Sequence, residues 1–239
     1  MRAVFDLSIE SFSPGQSVLI VNDEAFHLIK VARIKNDDVI QVFNGKGLIA
    51  NAKVIEVSRT TVNVKIIDCK KILKNITVKL FLCCPKKEAL EQSIVNAVEI
   101  GVDEIILVDS DYVQERNLKE KDLERINRII LNAHKQSNNP FLLKFSSEQM
   151  ISLKDVLAQG ENLFIFCNQL NKFKKQQIKQ KSISYLIGPE GGFSTSEIEM
   201  IEKSAANTEK FSTNILRVPN AVTYGHAVLI RESTNFQTE

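Results

Sequence analysis

The stretch LIGPEGGFSTSEIEM, Leu186 to Met200, places three glycines and a proline within five residues. An apolar run, Ile183 to Ile187, precedes it. Ser194-Thr195-Ser196-Glu197 then fits a capping box, in which the Ser194 hydroxyl accepts from the Glu197 amide and the Glu197 carboxylate reaches back. The spacing predicts a strand, a tight turn and a helix that starts just after Gly192. In open parallel sheets, ligands sit beyond the carboxyl ends of strands, where such a turn falls. Gly188, Gly191 and Gly192 remove side chains so that backbone can approach a ligand, and Pro189 stiffens the loop. The spacing is neither G-x-G-x-x-G nor G-x-x-x-x-G-K-[ST], so neither the dinucleotide nor the P-loop reading applies. Glu190 would repel a phosphate; it suits ribose hydroxyls, an amine or a cationic group. The same residues also suit an ordinary strand-to-helix turn with a solvated Glu190, and composition does not choose between the two.

Other stretches carry weaker signals. In NILRVPNA, Asn214 to Ala221, Arg217 lies between an apolar pair and Pro219. Pro219 and Asn220 predict a turn leading into the last helix, because proline has no amide to donate. A single loop Arg is more often a surface charge than a catalytic group, and gains weight only if its loop faces the Gly-rich turn. Lys172 to Lys181 holds five lysines and no acid. It predicts a solvated loop, although the same charges suit RNA phosphates. His27, Lys30, Arg33 and Lys35 make a short helix and its exit basic, which fits either a solvated face or a nucleic-acid platform. Cys69, Cys83, Cys84 and Cys167 lack C-x-x-C spacing and the three histidines are scattered, so no metal site is expected.

These residues need elements to position them. The first 75 residues predict strands at Ser17–Val21, Val39–Phe43, Leu48–Val57 and Thr61–Ile67, with one helix near Asp23–Arg33. Asn44-Gly45-Lys46-Gly47 reads as a hairpin turn. Several short strands around one helix suggest a small β-barrel or sandwich. From Ile76 the pattern alternates strand and helix. It gives a strand at Ile76–Cys84, a helix at Lys86–Ile100 stopped by Gly101, a strand at Glu104–Val108 and a helix at Asp122–Ser137. Then follow a strand at Phe141–Phe145, a helix at Leu153–Gln159 and strands at Asn162–Cys167 and Ile183–Ile187. A helix at Thr195–Ala205, a strand near Lys210–Ser212 and a helix near Ala221–Glu232 close the chain. Alternation with uniformly apolar strands means an α/β domain whose parallel sheet is covered on both faces.

At 239 residues and 44% hydrophobic composition, the chain can build one large or two modest cores. The net charge of +2 offers no global field for nucleic acid or membrane. The opening MRAVFDLSIE has no apolar signal core and no apolar run is long enough to span a bilayer, so a cytoplasmic protein with reduced thiols and no membrane contact is expected.

Taken together, LIGPEGGFSTSEI and the ILR about twenty residues later resemble the RsmE family of SPOUT-class methyltransferases, which methylate N3 of a uridine in 16S ribosomal RNA. Arg2 and Phe5, His27-Leu28, Val31, Arg33, the FNGKG at Phe43–Gly47, Pro85-Lys86, Ala97, Glu99-Ile100-Gly101-Val102 and Gln136-Ser137 extend the resemblance over most of the chain. It implies a PUA-like β-barrel over residues 1–73, binding RNA through Arg2, Lys30 and Arg33. It further implies a SPOUT α/β domain over residues 74–239 whose C-terminus is tied in a trefoil knot. S-Adenosyl-L-methionine, leaving as S-adenosyl-L-homocysteine, would be held by Phe166, Ile187, Gly188, Pro189, Glu190, Gly191, Gly192, Ser212, Ile215 and Leu216. Arg217 would be the catalytic residue. The implied partners are 16S ribosomal RNA or the small ribosomal subunit and a second copy of the chain, with no metal.

The sequence departs from the family at three places. After ILR the family continues Thr-Glu-Thr-Ala, where this chain has Val218-Pro219-Asn220-Ala221. After Gln136-Ser137 it has Gly-Arg, here Asn138-Asn139, and a family Lys is replaced by Asn96, both changes removing charge from the expected RNA surface. The first departure motivates an alternative: an RNA-binding protein of the same fold that has lost methylation.

Overall fold

The computed structural model describes residues 3–113, 115–170, 181–211 and 214–234. The chain divides into two compact units, Met1–Lys74 with Leu131–Leu142, and Asn75–Ile130 with Leu143–Glu239.

The first unit contains β1 (Ala3–Phe5), β2 (Ser17–Ile20), α1 (Asn22–Phe26), β3 (Val39–Phe43), β4 (Leu48–Val57) and β5 (Val62–Lys71). They form one five-stranded sheet in the order β1-β3-β4-β5-β2. Only the β1–β3 pair is parallel. Val62, Val64 and Ile66 alternate inward along β5 and pack with Val18, Ile20, Leu28, Ile40, Val42 and Val54, the half-buried pattern of a sheet with one solvated face. β5 runs past the expected end at Ile67. Its polar tail, Asp68–Lys71, has no strand pattern of its own but pairs with Leu48–Asn51, so pairing overrides propensity. In the β3–β4 turn, Gly45 and Gly47 take φ of +75° and +91°. Asn44 Oδ1 accepts from the amides of Lys46 and Leu48 at 2.8 and 3.0 Å.

The expected helix at Asp23–Arg33 is α1 followed by a π turn, His27–Val31. The chain leaves it through Ala32 and Arg33, whose φ of +50° is unusual for a residue with a side chain.

The second unit contains β6 (Thr77–Cys83), α2 (Lys87–Ile100), β7 (Glu104–Asp109), the start of α3 (Glu120–Ser137), β8 (Lys144–Ser152) and α4 (Leu153–Leu157). It continues with β9 (Leu163–Phe166), β10 (Ser182–Ile187), α5 (Thr195–Lys203), β11 (Asn207–Glu209) and α6 (Val218–Thr234). Its six strands are all parallel, in the order β11-β9-β10-β6-β7-β8. All of β9, and β10 from Ile183, is buried, as a sheet covered on both faces requires. Three expected elements move. The strand placed at Phe141–Phe145 is β8, and Phe141 instead bridges to Lys46 in the first unit. The strand placed near Lys210–Ser212 is β11, three residues earlier, where Asn207–Glu209 pairs with Phe164–Phe166. The last helix begins at Val218 rather than Ala221, so Val218-Pro219-Asn220 is helical and not a turn. Proline is at home in a first helical turn, where its missing amide has no partner to lose.

Among the described residues no helix is long and apolar enough to cross a membrane, and no cluster of His, Cys, Asp and Glu is arranged to hold a metal ion.

Candidate active site

Parallel register brings several loops to one edge of the second sheet. At the carboxyl ends, Ile187 pairs with Phe166 and with Leu82, and Phe166 pairs with Glu209. The segments leaving β6, β9, β10 and β11 therefore start side by side. Side chains tie them together. Gln169 Oε1 accepts from the Phe193 amide at 2.8 Å while its Nε2 donates to the Phe193 carbonyl at 3.1 Å. Asn168 Oδ1 accepts from the Phe211 amide at 2.9 Å. The Phe166 ring stacks on Phe211 with centroids 5.4 Å apart.

The Gly-rich turn follows β10 as the sequence predicts. The capping box is complete: Ser194 Oγ accepts from the Glu197 amide and Glu197 Oε2 accepts from the Ser194 amide at 2.8 Å. Glu197 is buried, and its other oxygen accepts from the Asp111 amide at 2.9 Å, so the cap also anchors the loop after β7. Two of the three glycines are required by the fold itself. A Cβ on Gly188 would lie 2.7 Å from the Phe193 ring, and one on Gly192, at φ +77°, would lie 2.5 Å from Gln169 Oε1. Only Gly191 stays open, with Tyr112 at 3.5 Å from such a Cβ. Glu190 and Gly191 are exposed while Pro189 and Ile187 are buried, so the turn presents its Glu-Gly tip outward.

Arg217 is exposed immediately before α6, and its carbonyl accepts from the Ala221 amide at 2.9 Å. α6 crosses the β9–β10 pair at Gly225, where a Cβ would lie 3.1 Å from Phe166 and 3.2 Å from Tyr185. Tyr185 Oη donates to the Val222 carbonyl at 3.3 Å. Asn96 of α2 is half-buried and bonded to α6 through the Pro219 carbonyl at 3.0 Å, so its side chain serves a helix contact rather than the RNA surface expected for it. Two departures from the family pattern, Asn96 and Pro219, thus meet at one bond.

The structure brings Phe166, Ile187 and Gly188 to Gly192 to one sheet edge, and ties the helix that follows Arg217 to the same two strands. Leu216 is half-buried and Ile215 is 95% exposed. Lys30 and Arg33 are exposed in the first unit. Arg2, Ser212 and the Lys-rich run from Lys172 to Gln180 lie outside the described residues. Sequence reasoning missed Asp111, Asn168 and Gln169, which hold the loops. The available signal was polar Asn168-Gln169 directly after a fully apolar strand.

Cysteine chemistry finds no support here. Burial pushes the Cys84 thiol up to about 12, with the Glu115 carboxylate adding to the effect, and burial likewise raises Cys83 and Cys167. Such thiols stay protonated and unreactive.

The chain matches an RNA methyltransferase domain over residues 73–230 and an RNA methyltransferase PUA domain over residues 15–67. It is 27% identical over 217 residues to ribosomal RNA small subunit methyltransferase E of Rickettsia conorii, covering 87% of this chain and 86% of the relative. It is 30% identical over 219 residues to the protein of that name from Mesomycoplasma hyopneumoniae, covering 87% and 92%. A solved structure of ribosomal RNA small subunit methyltransferase E from Neisseria gonorrhoeae, bound to S-adenosyl methionine, shares the fold with a TM-score of 0.82 at 21% identity over 97% of each chain. A PUA-like sheet followed by a parallel α/β domain, matched along nearly the whole length, places this chain in the RsmE family of RNA methyltransferases.

Proposed function

We propose that this protein transfers a methyl group from S-adenosyl-L-methionine to N3 of one uridine in 16S ribosomal RNA. The observation that carries this reading is the rigid Gly-rich turn at the sheet's carboxyl edge, in a chain of this family. It offers an exposed carboxylate and a side-chain-free tip. A phosphate ligand would be repelled by Glu190. A ligand with a sulfonium, an amine and a ribose would not.

The turn Ile187–Gly192, with Phe166, Ile215, Leu216 and Ser212, holds the cofactor in this reading, Glu190 taking the ribose hydroxyls or facing the sulfonium. When bound, S-adenosyl-L-methionine supplies an electrophilic methyl and leaves as S-adenosyl-L-homocysteine. Uridine N3 is a poor nucleophile while protonated, because its lone pair is shared with two carbonyls. Transfer therefore needs that proton passed to water or a substrate phosphate, and the resulting anion held in line. Arg217 donates to a uracil carbonyl oxygen and stabilises the anion. It is not the base, since a guanidinium does not give up its proton in a protein. The uridine leaves its stack to enter the site, while Arg2, Lys30 and Arg33 hold neighbouring phosphates. Two copies pair with the site near their interface, and the protein works in the cytoplasm on 16S ribosomal RNA or the small subunit.

Helical Val218-Pro219-Asn220 bears on the non-catalytic alternative, because the altered residues continue α6 without breaking it. Arg217→Ala tests the assignment. Calorimetric affinity for S-adenosyl-L-methionine should hold, while methyl transfer to small-subunit RNA falls by about a hundredfold or more. Unchanged turnover would remove Arg217 from the mechanism.

A further inference from the structure

The Asn96 amide is fixed on both sides. Its Oδ1 accepts from Gln92 Nε2 at 2.8 Å, within α2. Its Nδ2 donates to the Pro219 carbonyl at 3.0 Å and to Thr223 Oγ1 at 3.1 Å, both in α6. Thr223 Oγ1 donates in turn to the same Pro219 carbonyl at 3.2 Å. Turning the amide over would set its oxygen against that carbonyl, acceptor against acceptor, so the network admits one orientation.

The turn held in this way is the one that begins at Arg217. Pro219 stands two residues after it, and the Arg217 carbonyl receives the Ala221 amide. Proline fixes the backbone φ within this turn, and Asn96 with Thr223 fixes its carbonyl. Both helices also bury apolar side chains. Ile94, Ala97 and Val98 of α2, and Ala221, Val222 and Leu229 of α6, are buried apolar residues. The polar bonds from Asn96 reach α6 at Pro219 and Thr223, in its first two turns.

We infer that Asn96 and Thr223 are positioning residues for the reaction: they set the first turn of α6 and thereby the point from which Arg217 reaches the target base. This rests on the assignment of Arg217 above and extends it to residues that touch neither substrate nor cofactor. Displacement of a reacting group by about 1 Å can cost a hundredfold in rate, so a loosened turn is felt in the methyl-transfer step.

The test is single-turnover methyl transfer by Asn96→Leu, Thr223→Val, Thr223→Ser, Arg217→Ala and the Asn96→Leu/Arg217→Ala pair. Leucine keeps the branched outline of Asn96, with a larger volume, and suits a helix. Valine keeps the shape of threonine and serves as the second variant if Asn96→Leu fails to fold. The expected result is a rate lowered about tenfold or more by Asn96→Leu and by Thr223→Val, with RNA KM and cofactor Kd held within about twofold. Thr223→Ser, which keeps the hydroxyl, should restore the rate. The double variant should be no slower than Arg217→Ala alone. A wild-type rate in both Asn96→Leu and Thr223→Val would overturn the inference. So would a loss from Asn96→Leu that is just as large when Arg217 is already absent. An Arg217→Ala enzyme at full speed would overturn the reading of Arg217, and the inference with it. A slow Arg217→Ala beside wild-type rates in both Asn96→Leu and Thr223→Val would sink the inference alone.

Discussion

Gly192 illustrates how much of the site is decided by single residues. Its φ of +77° strains any residue with a side chain, and a Cβ would displace the Gln169 amide that holds Phe193. Gly192→Ala should destabilise the protein by about 1–2 kcal/mol, from the backbone alone, and loosen the turn; a denaturant titration measures it. Asn138 is the converse case. It follows α3 at φ +54°, and the Asn139 amide returns to the His134 carbonyl at 3.2 Å, the 6→1 bond of a helix C-terminus. The family's glycine is therefore answered here by the other residue that tolerates this conformation. Asn138→Val should cost about 1–2 kcal/mol while Asn138→Gly is neutral or stabilising, read from melting temperatures. Arg33, also at positive φ, has no such excuse of residue type.

At the scale of elements, the strong periodic pieces were legible. β3, β4 and the capping box of α5 fall where the sequence puts them, because alternating Val and Ile and the Ser-Thr-Ser-Glu spacing act locally. β1 was missed, since three residues carry no pattern and it forms only by pairing with β3. The start of α6 was misread because Pro219 signals a turn or a first helical turn equally well, and packing on α2 and β10 decides between them. Gly188 and Gly192 read as ligand glycines, yet the neighbours that exclude their side chains, Phe193 and Gln169, become visible only in three dimensions. The α5 cap should matter in proportion. Ser194→Ala removes the side-chain acceptor of the Glu197 amide and a bond to Asp111, and should cost about 1 kcal/mol by chemical denaturation.

For the molecule as a whole, a buried histidine of the first unit makes stability fall in acid. Burial pushes His134 from 6.5 down to about 4, against the opposing bond from its Nδ1 to the Asn139 carbonyl. The unfolded chain takes up this proton near pH 6.5 and the folded chain only near 4. Stability from this group is therefore complete above pH 6.5 and is lost as the pH falls toward 4, by up to about 3 kcal/mol. Denaturation midpoints between pH 7.5 and 4.5 should show this, and His134→Gln should flatten that part of the curve. Membership of the family was legible partly because two of its motifs fall in turns that demand glycine, the β3–β4 turn with Gly45 and Gly47 and the turn after β10 with Gly192. The central claim concerns chemistry, and its most direct measurement is mass spectrometry. Small-subunit RNA lacking N3-methyluridine is incubated with the protein and S-adenosyl-L-methionine bearing an isotopically labelled methyl, then digested to nucleosides. The account predicts labelled N3-methyluridine at a single position; label on any other atom, or none in RNA that the protein binds, would contradict it.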